Sequence, residues 1–233
     1  MEITKELCEL YGVLIGDGCL SRYKSRGRIH HTIRIDGNLK TDKFYYLYLK
    51  RLIEELIARN VSIKKREKYS SIYFMFCHKE FFYYLHNTFD FPIGKKGEIK
   101  IHDSIIQNEN LIKEVLRGMF DTDGCIYFTK NDWKGRRNYP IIEIVTYSKV
   151  LIKQLNEIMT KLGFKVKIGH GGNSVKLNGK FQVQKWMKEI GSNNLDKFSK
   201  FQFWKKFGYC PKIEELPLKQ RLEKIGWNEP AGI

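Results

Sequence analysis

Apolar residues along this chain follow two periods. Leu7, Cys8, Tyr11, Leu14 and Ile15 recur at three- and four-residue steps, the spacing of one helix face. Thr4 precedes them and has a hydroxyl that can accept from the first helical N–H groups, so it is the candidate N-cap. The same spacing returns in Ile112, Val115, Leu116, Met119 and Phe120, with Asn108 or Asn110 as cap. After each helix the period falls to two. Arg28, His30, Thr32 and Arg34 alternate with Ile29, His31, Ile33 and Ile35, which predicts a hairpin over 19–36 with Gly27 at its tip. A helix is predicted over 41–60, with Phe44, Leu47, Tyr48, Leu52, Ile53 and Leu56 inward and its tyrosines in core and rim. Strands over 61–68 and 71–77 and a short helix over 79–89 follow. Pro92, Gly94 and Gly97 mark a loop. The second stretch predicts a hairpin over 125–146, a helix over 148–162 stopped by Gly163, strands over 164–168 and 174–177, and helices over 181–190 and 198–207. Pro211, Pro217 and Pro230 punctuate a tail read as an irregular, partly disordered wrap.

The two stretches share one order of elements. The predicted class is therefore α+β, with one αββαββα unit used twice: 1–103, 104–210, and a tail over 211–233. The repeat is clearest where each unit begins. Leu10-Tyr11-Gly12-Val13-Leu14-Ile15-Gly16-Asp17-Gly18 returns as Leu116-Arg117-Gly118-Met119-Phe120-Asp121-Thr122-Asp123-Gly124. Gly18 and Gly124 are expected to stop their helices in a left-handed conformation. A glycine inside a helix costs about 1 kcal/mol relative to alanine, so Gly12 and Gly118 need a reason. Residues four apart share a face, which pairs Gly12 with Gly16 and Gly118 with Thr122. Small residues on those faces let two helices pack backbone against backbone, with a slightly wider contact at Thr122. Asp17 and Asp123 would then meet at a common end. Two carboxylates at two helix C-termini repel each other and the dipoles' negative ends. A divalent cation relieves both, and carboxylates with the carbonyls of Gly16 and Thr122 make an oxygen set suited to Mg²⁺.

Charge adds a partner. Lys and Arg number 42 against 26 Asp and Glu, a formal net charge of +16, which points to a polyanion. Aromatic residues at 14% argue against disorder. Five cysteines, an odd number without a CxxC pair, exclude a zinc spacing; reduced, mostly buried thiols and an intracellular location are expected. No apolar run is long enough to be a signal peptide or membrane span. Many of the basic residues fall on the predicted strands. Arg22, Lys24 and Arg26 lie on the first hairpin's outgoing strand and turn, and Arg28, His30, Thr32 and Arg34 on its return. Ser62, Lys64, Arg66 and Lys68 share a parity in the next pair. Lys130, Lys134, Arg136 and Arg137 surround the second tip beside Gly135, where Trp133 either packs or touches DNA; Lys165 and Lys167 follow. A two-stranded basic ribbon fits a DNA major groove.

The duplicated stretch resembles the LAGLIDADG homing endonucleases, in the single-chain form with two motifs. Leu10, Gly12, Asp17 and Gly18 match in the first copy, with Val13, Leu14 and Gly16 as conservative variants; Leu116, Gly118, Asp121, Asp123 and Gly124 match in the second. Ile15 stands where the family's first, non-catalytic acid would be, and Thr122 at a small packing position. The resemblance extends to about Tyr209. It implies pseudo-two-fold symmetry and two saddle-shaped antiparallel sheets forming a DNA-binding surface. It also implies a monomer that makes a double-strand break in a long, loosely palindromic duplex. Asp17 and Asp123 would be the catalytic acids, with two or more Mg²⁺ ions that Ca²⁺ or Mn²⁺ can replace. A loop lysine approaches the active site in that family, which nominates Lys95 or Lys96 in the first half and Lys197 in the second. Intron encoding and a cytoplasmic or organellar location are expected, and an intein is not, since no splicing segments flank the units. The rival readings are an RNA maturase acting on intron RNA and a non-cleaving DNA-binding protein; the presence of both acids favours the nuclease.

Overall fold

A computed structural model describes residues 2–130 and 135–227. Lys134 and Trp133 lie outside the described residues. The first half runs α1 (Lys5–Asp17), β1 (Gly18–Ser25), β2 (Arg28–Asn38), α2 (Lys43–Ile57), β3 (Ile63–Arg66), β4 (Ser71–Cys77) and α3 (Lys79–Phe89). A one-turn α4 (Asp103–Ile106) leads into the second half: α5 (Glu109–Asp123), β5 (Gly124–Lys130), β6 (Arg137–Val145), α6 (Lys149–Lys161), β7 (Val166–Ile168), β8 (Ser174–Asn178) and α7 (Lys180–Glu189). Helices α8 (Leu195–Phe207) and α9 (Leu218–Ile225) complete the described chain. Each half is thus an αββαββα unit, as the two periods predict.

Local chemistry sets the boundaries. Thr4 caps α1 through its side chain, and Asn108, rather than Asn110, caps α5 by accepting from the N–H groups of Asn110 and Leu111. Gly18 and Gly124 differ from expectation. Both are extended, at φ −89° and −86°, and each begins a strand directly from its helix. Glycine is needed there for room: a Cβ would lie 2.5 Å from Leu14 Cα in one case and 2.5 Å from the Phe120 ring in the other. The strand over 61–68 shortens to β3, and a 3₁₀ turn over Glu67–Tyr69 carries Lys68 off the sheet.

The sheets are antiparallel, ordered β1-β2-β4-β3 and β5-β6-β8-β7. Leu20, Ile33, Ile35, Ile72 and Phe74 fill the inner face of the first; Ile126, Phe128, Ile142, Ile144, Val175 and Leu177 fill that of the second. On α2 the buried face is Tyr45, Tyr46, Leu49, Leu52, Ile53 and Ile57, not the one led by Phe44 and Leu47. Residues 44–49 are apolar or aromatic throughout, so periodicity there leaves the phase open. Two of the five cysteines are buried, Cys8 and Cys210; Cys77 and Cys125 are exposed, contrary to the expectation of mostly buried thiols. The tail is ordered in part as α9. Arg221, fully buried, bonds Asp196 Oδ1 at 2.5 Å and Ser199 Oγ at 2.9 Å, which fastens α9 to α8.

Helices α1 and α5 join the halves through their glycines. A Cβ on Gly12 would stand 2.2 Å from Val115 O, and one on Gly118 would stand 2.2 Å from Glu9 O. Thr122 fits over Gly16, where an added Cβ would meet its hydroxyl at 2.1 Å. That hydroxyl turns back onto its own helix, donating to Gly118 O at 2.9 Å. The larger side chain is therefore met by a glycine opposite.

Candidate active site

The glycine contact brings the two helix ends together, and with them the two acids. A Cβ built on Gly16, next to Asp17, would lie 3.5 Å from Asp123 Cγ. Burial pushes the Asp17 carboxyl up to about 7, and the charges of Asp123 and Asp42 push the same way. Burial raises Asp123 too, against the pull of Lys96 and Lys197.

Each helix end also receives an ammonium. Lys96 Nζ donates to the carbonyls of Leu14 at 3.3 Å and Ile15 at 2.8 Å, and to Gly16 O. Lys197 Nζ donates to Phe120 O at 2.5 Å and Thr122 O at 3.1 Å. Leu14 O also accepts from the Gly18 N–H; the others lie in the last turn, where a helix runs out of N–H partners, and a cation there opposes the dipole. Lys95, the other candidate, is exposed and makes none of these contacts. Burial lowers both lysines from their ordinary value, while nearby carboxylates hold them up.

Two carboxylates and two helix-end carbonyls form an all-oxygen donor set. Among the described residues no group of three or more His, Cys, Asp or Glu could hold a metal ion, so these acids are less than a complete cage. That suits Mg²⁺, which keeps waters and takes substrate phosphate oxygens beside one or two carboxylates. Asp17 and Asp123 fit such an ion, whereas the Gly16 and Thr122 carbonyls could join them only alongside the Lys96 and Lys197 ammoniums they already accept from. An acid raised from 3.8 to about 7 adds most stability below the lower value and loses it as pH rises through the higher. From about pH 5 to pH 8, metal-free wild type should therefore lose on the order of 5 K more in Tm than Asp17→Asn. Added Mg²⁺ should restore the difference at the higher pH. Scanning calorimetry of both proteins checks this; identical pH profiles would contradict it.

Strand register sorts the basic residues. Arg28, His30 and Arg34 share the outer face of the first sheet with Cys19, Ser21 and Tyr23. Tyr23 stacks on His30 with ring centroids 5.3 Å apart. Arg34 is tied to Asp36 at 2.6 Å and lies over the Tyr73 ring, which Arg66 also covers. Lys64 pairs with Tyr73 on that face. Arg22 and Lys24 have the opposite parity, paired with His31 and Ile29. Both are nonetheless exposed, as is Ile29 opposite Lys24 at 62%. Arg26 is in the turn, and Ser62 and Lys68 flank β3 outside it. Thr32, 4% exposed, contacts Cys77 Sγ at 3.6 Å and is closed to a ligand in this state. In the second half Lys130 and Arg137 pair at a β-bulge, and Arg136, Lys165 and Lys167 are exposed.

Sequence reasoning missed the acids among these cations. Glu143 occupies the outer face opposite Cys125, where the first sheet has Arg34 opposite Cys19. It bonds Ser174 at 2.6 Å, Tyr127 at 3.0 Å and Lys176 at 3.2 Å. The signal was Glu143 itself, a single charge within the apolar run Ile141-Ile142-Glu143-Ile144-Val145.

Comparison with known proteins agrees with this architecture. The LAGLIDADG DNA endonuclease family matches residues 9–101, and the LAGLIDADG-like domain matches residues 110–200. Among curated proteins, a probable translation initiation factor IF-2 of Methanocaldococcus jannaschii is 27% identical over 95% of the chain. The chain spans 16% of that relative's length. The fold is similar to that of I-DmoI in complex with DNA and Mn, with TM-score 0.57 and 18% identity over 82% of this chain and 98% of that one. It is also similar to I-LtrWI, a LAGLIDADG homing endonuclease bound to target DNA, with TM-score 0.56 and 12% identity over 96% of both chains. I-DmoI has been solved with DNA and Ca, and a variant with target DNA in the presence of Mg. Two matched domains in tandem, on two repeated αββαββα halves, place this chain in the LAGLIDADG DNA endonuclease family, with both motifs in one chain.

Proposed function

We propose that the protein is a site-specific endonuclease that makes a double-strand break in a long, loosely palindromic DNA duplex, with a divalent cation as cofactor. The observation that carries this is the pair of helix-borne aspartates held at one point, both raised by burial. The halves, taken as 1–103 and 104–210, supply both sheets, so one chain suffices without a second copy. Phosphate contacts from exposed Lys64, Arg66, Lys165 and Lys167 provide affinity. Base edges are read by outer-face side chains including Arg34, His30 and Glu143. The halves differ at paired positions, Arg34 against Glu143, so the two half-sites need not match.

Asp17 and Asp123 would hold the cation, and the Gly16 and Thr122 carbonyls, which accept from Lys96 and Lys197, are the further candidate ligands. When bound it supplies a water of lowered pKa and compensates charge on the leaving 3′ oxygen. Lys96 and Lys197 hold the helix ends in place and put positive charge near the phosphorane. Encoding within an intron belongs to the same reading. The substrate to try is therefore the DNA flanking the reading frame, joined as though the frame were absent. Cutting of both strands in Mg²⁺ is the expected result, and an intact duplex with tight binding would favour a non-cleaving binder.

Affinity should also fall steeply with salt. With 6–10 phosphates neutralised, raising salt from about 50 to 200 mM should weaken binding by roughly 10³–10⁵. A flat response in fluorescence anisotropy would contradict the basic sheet faces.

A further inference from the structure

The two active-site lysines reach their helix ends by different routes. Lys96 follows a loop pinned to sheet backbone: Gly94 N–H donates to Leu20 O at 2.7 Å, and Ile93 bridges Leu20. The matching loop of the second half, residues 191–194, is held by a side chain. The Asp121 carboxylate accepts from Asn193 N–H at 2.7 Å and from the Ser192 hydroxyl. Asn194 Nδ2 donates to Asp121 O at 3.1 Å, and its Oδ1 caps α8 by accepting from Asp196 N–H at 3.1 Å. Lys197 lies in the first turn of that helix, and its ammonium bonds the carbonyls on either side of Asp121. Asn193 also reaches the first half, with Nδ2 2.7 Å from Glu9 Oε1 and 2.9 Å from Tyr48 Oη.

A buried carboxylate is costly unless its hydrogen bonds are made, and Asp121 is 2% exposed. Helix packing does not require it, because the matching position of α1 is Ile15, also buried. We infer that Asp121 is a positioning residue: it clamps the 192–194 loop so that Lys197 meets the end of α5, replacing the backbone bridge that serves Lys96. The clamp stands on geometry alone; its kinetic consequence rests on the endonuclease reading. That consequence is strand-selective, since only one of the two helix ends depends on it.

The test uses the full chain with Asp121→Asn, which keeps the shape, and Ser192→Ala, which removes one donor from the loop side. Without DNA, lysines are acetylated with an N-hydroxysuccinimide ester and read by mass spectrometry. Lys197 should be modified about tenfold faster in either variant as the loop opens, with Lys96 unchanged. No rise at Lys197 in both variants, or an equal rise at both lysines, overturns the clamp. With DNA, single-turnover rates of each strand are measured on a duplex that wild type cuts from a randomised library. Asp121→Asn should slow the strand that Lys197→Ala slows, and not the one that Lys96→Ala slows, so nicked duplex accumulates. Equal slowing of both strands overturns the strand-selective role. If wild type cuts no duplex, the endonuclease reading fails and the labelling still decides the clamp.

Discussion

Asp17→Asn and Asp123→Asn each yield a protein that folds, binds duplex DNA and does not cut it. The expected loss in single-turnover rate is at least about a thousandfold, equivalent to about 4 kcal/mol of transition-state stabilisation. The amide keeps the carboxylate's shape, so packing at the joint of α1 and α5 is preserved. It removes the charge that would hold the cation, where no group of three or more His, Cys, Asp or Glu among the described residues could do so. Binding should hold or tighten, because a negative charge is withdrawn from beside phosphates. Gel resolution of nicked and linear products, with anisotropy for affinity, reads both quantities. Full cutting by either variant would remove that aspartate from the chemistry.

Gly118→Val should unfold the protein or cost at least about 3 kcal/mol. Two effects compete. Helix propensity favours replacement of a mid-helix glycine by up to about 1 kcal/mol. Against it, the first carbon added at Gly118 would lie 2.2 Å from Glu9 O and 2.8 Å from Val13 N. Those atoms are backbone and cannot rotate away, so the helices must separate. Gly12 faces the same obstacle at Val115 O, and Gly12→Val should behave alike. Urea unfolding measures the loss, and any surviving protein should cut poorly because its acids have moved apart. A stabilised Gly118→Val would mean that the helix contact is looser than described.

These results concern the part of the molecule most legible in the sequence. The spacing of Gly12, Gly16 and Asp17, repeated at Gly118, Thr122 and Asp123, is local information, since i,i+4 positions share a face whatever surrounds them. The cap at Thr4 was readable for the same reason, and that of α5 was narrowed to Asn108 or Asn110. Alternation marked the strands but was weaker evidence of what faces solvent. Arg22 and Lys24 have core-side parity and yet are exposed. Thr32 has outer parity and is buried. The choice between Lys95 and Lys96 was also closed to sequence, since adjacent loop residues have no period to separate them.

By itself, the sequence determined the repeated αββαββα order, the glycine face, the two acids at its end and the excess of positive charge. Each follows from spacing within one element or from composition. Tertiary structure alone decided that Lys96 and not Lys95 meets the end of α1, that Asp121 holds the loop before Lys197, and that Glu143 sits among the cations of the second sheet. Those depend on residues far apart in the chain, such as Asp121 and Asn193, whose encounter is set by how whole elements stack. Nearest-neighbour chemistry has no term for that distance.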